Sequence, residues 1–316
     1  MERRQLGRSS LSIAPLAFGG NVFGWTVDET TAFRLLDAFV ARGFNLIDTA
    51  DSYSRWAPGN KGGESEKIIG NWMRQRRNRD EVMIATKVGS DMGQGKRDIS
   101  RKYILHAAED SLRRLQTDYL DLYQTHWDVE TVPVEETLEA YSQLVTEGKV
   151  RWIGASNLSP ERLKSSLETS GKKDYPRYQT LQPEYNLYDR EKFEMSYEKI
   201  CLKENLSVIS YYSLASGFLT GKYRSEADLQ KSARGSGVKK YLTERGFRIL
   251  SGLDEVAREY DSTPASIAIA WLQSRPSVAA PIASATNLAQ LESLMKAAEI
   301  KLSDEAVLTL NEASKY

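Results

Sequence analysis

Short runs of apolar, often β-branched residues recur along the chain, separated by longer stretches in which apolar residues return at helical spacing. The runs predict strands at residues 15–18, 44–48, 82–87, 119–125, 150–154, 179–182, 206–211 and 278–282. Several are apolar almost throughout, as expected of strands buried on both faces. Between them lie helical patterns. Asp28 is placed to cap a helix reaching about Arg42, with Ala32, Phe33, Leu35, Leu36, Ala38, Phe39 and Val40 as its apolar residues and Gly43 as its stop. Ser100 begins another, whose inner stripe reads Ile104, Ala107, Ala108, Ser111, Leu112 and Leu115. Ser159 followed by Pro160 is a cap and first-turn pair. Further helices are predicted over 64–76, 133–147, 193–205, 264–273 and 287–298.

Eight strands alternating with helices predict a (β/α)8 barrel, and 316 residues suit one. A doubly wound sheet would carry a glycine-rich phosphate turn after its first strand. The segment from Gly19 to Gly24 does not match that turn. The segment from Gly89 to Lys96 misses the phosphate-loop spacing by one, and Arg97 stands where Ser or Thr belongs. No linker or low-complexity stretch divides the chain, so a single domain over 1–316 is expected. Two segments exceed the repeat. Residues 3–13, with a Gly7-Arg8-Ser9-Ser10 turn, predict a hairpin closing the barrel bottom. Residues 213–242 form a long insertion after the seventh strand, and loops of such length are usually functional.

Composition narrows the function classes. Lys plus Arg and Asp plus Glu both number 43, so net charge does not favour nucleic acid or an anionic membrane. The one cysteine, Cys201, excludes an internal disulfide and a multi-cysteine metal site, and the two histidines, His106 and His126, are too few for a His-rich centre. No metal is expected. The N-terminus lacks the apolar core of a signal peptide, and no stretch approaches the ~18 apolar residues of a membrane span. A cytoplasmic protein is expected.

In a barrel, chemistry gathers where strands end. Those ends supply Asp48, Lys87 and His126, with Tyr53 following Asp48 in the same loop. Each has a bland reading alone: a cap or a lysine's partner for Asp48, a packed surface aromatic for Tyr53, a satisfied polar group for His126. Together they suit carbonyl reduction. A hydride reaching the carbonyl carbon leaves negative charge on oxygen, which needs a proton. A tyrosine of pKa about 10 is a poor donor, and a neighbouring ammonium lowers that value. Lys87 is placed to do so, Asp48 to hold the lysine, and His126 to orient the substrate oxygen.

Six segments then resemble the aldo-keto reductase family: GFNLIDTADSY (43–53), ATKV (85–88), DYLDLYQTHWD (118–128), GKVRWIGASN (148–157), LQPEYNLYDR (181–190) and SLASGFLTGKY (213–223). The resemblance runs from about Arg3 to Glu312. It implies a barrel that binds an extended nicotinamide dinucleotide, with the catalytic Asp, Tyr, Lys and His falling on Asp48, Tyr53, Lys87 and His126. It also implies that Ser156, Asn157 and Gln182 hold the carboxamide of nicotinamide and that Tyr211 stacks on its ring. Tyr212, Ser213, Leu214, Ser216 and Gly217 would wrap the pyrophosphate, with Lys222 and Arg234 offering charge. Gly20, Asn21 and Asp48 join the cofactor set. After the last strand the family often carries a Gly-x-Arg motif, then Gln with an Asn four residues on. This chain has Ser284, Thr286 and Gln290 there, Leu294 in the Asn position and no arginine. NADPH is the expected cofactor, with NADH usable. Trp25, Trp56 and Trp127, with Tyr53 and His126, are candidates to line a substrate pocket. The rival reading is a cofactor-binding regulatory subunit like the potassium-channel β subunits, which share the LASGFLTGKY-type segment and typically lack the catalytic histidine.

Overall fold

The structure, a computed structural model, describes residues 2–232 and 235–316. An antiparallel hairpin, β1 (Arg4–Gln5) and β2 (Ser12–Ile13), precedes the barrel. The barrel strands are β3 (Ala17–Gly19), β4 (Leu46–Asp48), β5 (Met83–Val88), β6 (Leu120–Thr125), β7 (Val150–Ser156), β8 (Tyr178–Gln182), β9 (Ser207–Val208) and β10 (Ile282–Ala283). They form one parallel eight-stranded sheet in the order β10-β3-β4-β5-β6-β7-β8-β9. Backbone bonds from Ala279 N to Val208 O and from Ile282 N to Ser210 O, both 2.8 Å, close the ring between the two ends of that order. The molecule is thus a (β/α)8 barrel.

The outer helices are α1 (Glu29–Ala41), α2 (Glu64–Arg76), α3 (Arg101–Leu115), α4 (Val134–Thr146), α5 (Pro160–Lys173), α6 (Glu191–Ser196), α7 (Glu198–Glu204), α8 (Glu244–Glu259), α9 (Pro264–Gln273), α10 (Leu288–Lys296) and α11 (Asp304–Ala313). The expected caps form: Asp28 accepts from Thr31 N, Ser100 from Tyr103 N and Ser159 from Arg162 N. The helix expected over 193–205 is two helices, because the backbone leaves helical geometry at Tyr197, whose hydroxyl donates to Leu158 O. The strand expected over 206–211 is regular only at Ser207–Val208. Helices α8 and α11 fall where the sequence pattern gave no prediction. The insertion at 213–242 contains short 3-10 helices at Ala215–Thr220, Glu226–Lys231 and Gly235–Tyr241.

Side-chain alternation along the strands positions the chemistry. Ala17, Leu46, Ala85, Leu122 and Ile209 pack with Leu6, Leu11 and Ile13 of the hairpin, which plugs the lower barrel. Phe18, Ile47, Ile84, Tyr123, Ile153 and Leu181 face the other way, into the larger core under the helices. Two residues beyond three of these lower-layer residues the inward positions turn polar: Asp48 follows Leu46, Lys87 follows Ala85, and Gln124 follows Leu122. Apolar burial below therefore fixes polar groups above, at the C-terminal mouth.

Candidate active site

Asp48 and Lys87 are fully buried and ion-paired, with Lys87 Nζ 2.8 Å from Asp48 Oδ2. In strand register Asp48 lies beside Ala85, so Lys87 emerges beyond it and its amine folds back. It also donates to Thr49 O at 2.8 Å and to the Tyr53 hydroxyl at 2.9 Å. Tyr53 in turn donates to Asp48 Oδ2 at 3.1 Å. Gln182 Nε2 fixes the other carboxylate oxygen at 2.9 Å. The three ammonium hydrogens each have an acceptor, which is what a buried charge requires.

Burial dominates the proton affinities. It pushes the Tyr53 phenol well above its ordinary value, and the Asp48 charge adds to this. The depressed value expected from Lys87 alone is not found, because Asp48 neutralises the lysine and the ring is desolvated. Burial also lowers the Lys87 ammonium, against the raising effect of Asp48. The His126 imidazole is held well below its ordinary value, first by burial and then by the Lys87 and Arg97 charges. At neutral pH the mouth thus presents a protonated phenol and a neutral imidazole. The two rings are 6.1 Å apart, centre to centre. Ser90 Oγ lies 3.1 Å from His126 Nδ1; with the serine donating, His126 Nε2 carries the hydrogen and is a donor.

A chain of polar contacts extends across the barrel. Ser156 Oγ donates to Gln182 O at 2.8 Å, Asn157 Nδ2 to Ser156 Oγ at 3.0 Å and to His126 O at 2.9 Å, and Tyr211 OH to Asn157 Oδ1 at 3.0 Å. These residues therefore share one network with Asp48. Tyr212, whose carbonyl takes Asn186 Nδ2, is exposed beside Tyr211. Ser213 donates to Ser210 O, and Leu214 O accepts from Gly217 N. Ala215, Ser216 and Gly217 have φ of 48°, 57° and 94°, three consecutive left-handed residues. A Cβ built on Gly217 would lie 3.7 Å from the Lys222 ammonium, so that cation covers the turn. On the other side, Gly20 packs against Ser65 and the Asp48 backbone, and Asn21 accepts from Ser284 Oγ at 2.6 Å. Thr286 and Gln290 pair with each other, at 2.9 and 3.1 Å, and Gln290 N caps on Asn287. Arg234 lies outside the described residues.

Aromatic side chains wall the mouth. Trp25 meets Trp56 edge-on at 5.8 Å, and Trp56 meets Tyr53 at 6.2 Å. Trp127 stacks on His126 at 5.6 Å.

Sequence reasoning did not single out Ser90, Gln124, Asp51 or Glu66. Asp51 is buried at 2 % exposure, and neither carboxylate oxygen has a hydrogen bond of normal geometry. Its pKa is pushed up to about 8, by burial first and by the Glu66 charge next, with Arg114 and Ser52 offsetting only part. Glu66 is fully buried on α2 and satisfied by Thr86 Oγ1 and Arg114 Nε, each at 2.6 Å. The signal available in sequence was an acidic residue at a strand-end loop; its lack of a partner appears only in three dimensions.

Comparison with known proteins gives a consistent result. Residues 15–315 match the model of the aldo/keto reductase family. The chain is 32% identical to Protein tas of Escherichia coli (strain K12), over 97% of this chain and 96% of that protein. It is 33% identical to aldo-keto reductase YhdN of Bacillus subtilis (strain 168), over 96% and 89%. It is 31% identical to a probable voltage-gated potassium channel subunit beta of Arabidopsis thaliana, over 95% and 92%.

Proposed function

Since the chain belongs to the aldo/keto reductase family, we propose that it reduces an aldehyde or ketone to the alcohol with NAD(P)H, Tyr53 giving the proton. The observation that carries this reading is the Tyr53 hydroxyl held 2.9 Å from the buried Lys87 ammonium, with a neutral His126 beside it.

The residues present fit the cofactor. Ser156, Asn157 and Gln182 offer amide-complementary donors and acceptors, and the half-buried Tyr211 ring presents an aromatic surface. The left-handed turn at Ala215–Ser216–Gly217, covered by Lys222, sets an unbranched backbone position beside a cation, a surface suited to an anion such as a pyrophosphate. Ser213 and Leu214 lead into it, and Gly20, Asn21, Ser284, Thr286 and Gln290 complete the proposed cofactor surface. When bound, NAD(P)H supplies a hydride to the carbonyl carbon.

The side chains do the rest. His126 donates to the carbonyl oxygen and orients it. As charge develops there, Tyr53 transfers its phenolic proton to that oxygen, completing the alcohol. The phenolate left behind is stabilised by Lys87, a contact that strengthens as the proton leaves and so favours the transition state over the ground state. Asp48 and Gln182 keep the lysine in place. Trp25, Trp56 and Trp127 exclude water and hold the substrate body. NADPH is the preferred cofactor in this proposal, NADH a usable one, and the cytoplasm, where the buried free Cys201 stays reduced, the setting.

The likeness to a channel subunit beta supports a second reading, a cofactor-binding regulatory protein. A panel of aldehydes and ketones incubated with each reduced cofactor separates the two. Carbonyl-dependent loss of nicotinamide absorbance supports the enzyme; tight cofactor binding without turnover across the panel supports the regulatory subunit.

A further inference from the structure

We infer that the substrate carries a carboxylate, held by Arg97 at the rim of the mouth. This rests on the carbonyl-reductase reading above and specifies its substrate class.

Arg97 lies in the loop between β5 and α3, exposed, with its guanidinium 4.0 Å from the centre of the Trp127 ring. Trp127 stacks in turn on His126, at 5.6 Å and an interplanar angle of 21°. A cation, an indole and the imidazole that faces the substrate oxygen thus form one column. The two steps bound the separation of guanidinium and imidazole at no more than their sum, so both can reach one small substrate. Stacking occupies a face of the guanidinium and leaves its N–H edges to a planar anion.

Among the described residues no carboxylate pairs with Arg97. Three acids of the surrounding loops are otherwise engaged: Asp91 accepts from the backbone of Gly93 and Gly95 and faces Arg55 at 3.9 Å, Asp98 accepts from Ser100 N at 2.8 Å, and Asp128 pairs with Arg162 at 2.9 Å. An exposed arginine fixed on an aromatic wall yet lacking an acidic partner is poised for an anion arriving from solution. Its charge already reaches the chemistry, since it helps hold His126 neutral. The opposite wall, Trp25 against Trp56, offers apolar surface to the substrate body between carbonyl and carboxylate.

The test compares 4-carboxybenzaldehyde with 4-nitrobenzaldehyde, which match in shape but differ in charge; the stronger electron withdrawal of the nitro group is the same for every variant and cancels when their ratios are compared. Wild type, Arg97→Met and Arg97→Lys are each assayed with saturating NADPH, after checking that NADPH affinity is retained. The ratio of kcat/KM values, carboxylate over nitro, should fall by about tenfold or more in Arg97→Met, the worth of one charge-assisted contact, and through KM. Arg97→Lys should retain part of it. Added salt should lower the ratio in wild type more than in Arg97→Met. Turnover of both aldehydes with a ratio unchanged in Arg97→Met overturns the inference and leaves the reductase reading standing. Failure of wild type to reduce either aldehyde overturns this inference, and failure across the wider panel of aldehydes and ketones overturns the reductase reading as well.

Discussion

Lys87 has no exposed surface and three acceptors, so its charge is spent entirely within the site. Replacing it with methionine keeps the length and removes the ammonium. Lys87→Met should lower turnover by about 10²-fold or more and change the pH profile, because the phenolate loses its partner. Asp48→Asn should act in the same direction but less, since it only loosens the lysine. Unchanged rate and pH profile in Lys87→Met would contradict the proposed roles. Asp51 makes a separate prediction about stability. Its folded pKa of about 8 lies above the ordinary 3.8, so between those values the folded protein keeps a proton that the unfolded chain has lost. Its contribution to stability therefore falls as pH rises from about 4 to 8 and is flat above. Asp51→Asn should stabilise the protein at pH 8 by about 1–3 kcal/mol, the scale of a buried polar group left unsatisfied. Denaturant unfolding at pH 5 and pH 8 checks this: an equal effect at both would mean that Asp51 does not hold the proton.

At the scale of elements, the loop following β9 is the one we propose for the cofactor. Gly217 has φ of 94°, a conformation in which any other residue is strained. With alanine at 217 the turn should relax out of the left-handed form in the free protein, so Gly217→Ala should raise the cofactor dissociation constant by about tenfold, the equivalent of the 1–2 kcal/mol needed to restore that form on binding, while leaving the Tyr53–Lys87 pair intact. Fluorescence titration with NADPH measures it, and an unchanged constant would show that the turn does not touch the cofactor. The strands that place Asp48, Lys87 and His126 were legible because burial on two faces and a polar terminal residue are both written in the chain, as in β5 and β6. The caps at Asp28, Ser100 and Ser159 were equally plain. Helix α8 was not; it carries Gly246 and Gly252, which weaken its helical pattern. Their cause is tertiary: a Cβ on Gly252 would come within 2.9 Å of the Ala313 side chain on α11. The break at Tyr197 likewise depends on a contact with Leu158, distant in sequence. Of the site, strand ends and the loop after Asp48 pointed to Asp48, Tyr53, Lys87 and His126, which the structure brings together, but the Ser90 partner of His126 and the isolation of Asp51 depend on which loops meet.

At the scale of the whole molecule, the hairpin plug below and the polar mouth above are two ends of one barrel, and we read the chain as a single domain. It should unfold in one transition, displaced upward by cofactor in proportion to affinity. NADPH should displace it more than NADH at equal concentration, and the difference should shrink in Arg234→Ala. Two transitions would contradict the single domain, and equal displacements the NADPH preference. What binds the whole account together is the passage of a proton from Tyr53 to the carbonyl oxygen. Tyr53→Phe removes that proton and little else, since the ring keeps its place between Trp56 and His126. Turnover of a reducible aldehyde by Tyr53→Phe, measured beside NADPH affinity, should fall by at least about 10²-fold with the affinity near that of wild type. Turnover within a few-fold of wild type would contradict it.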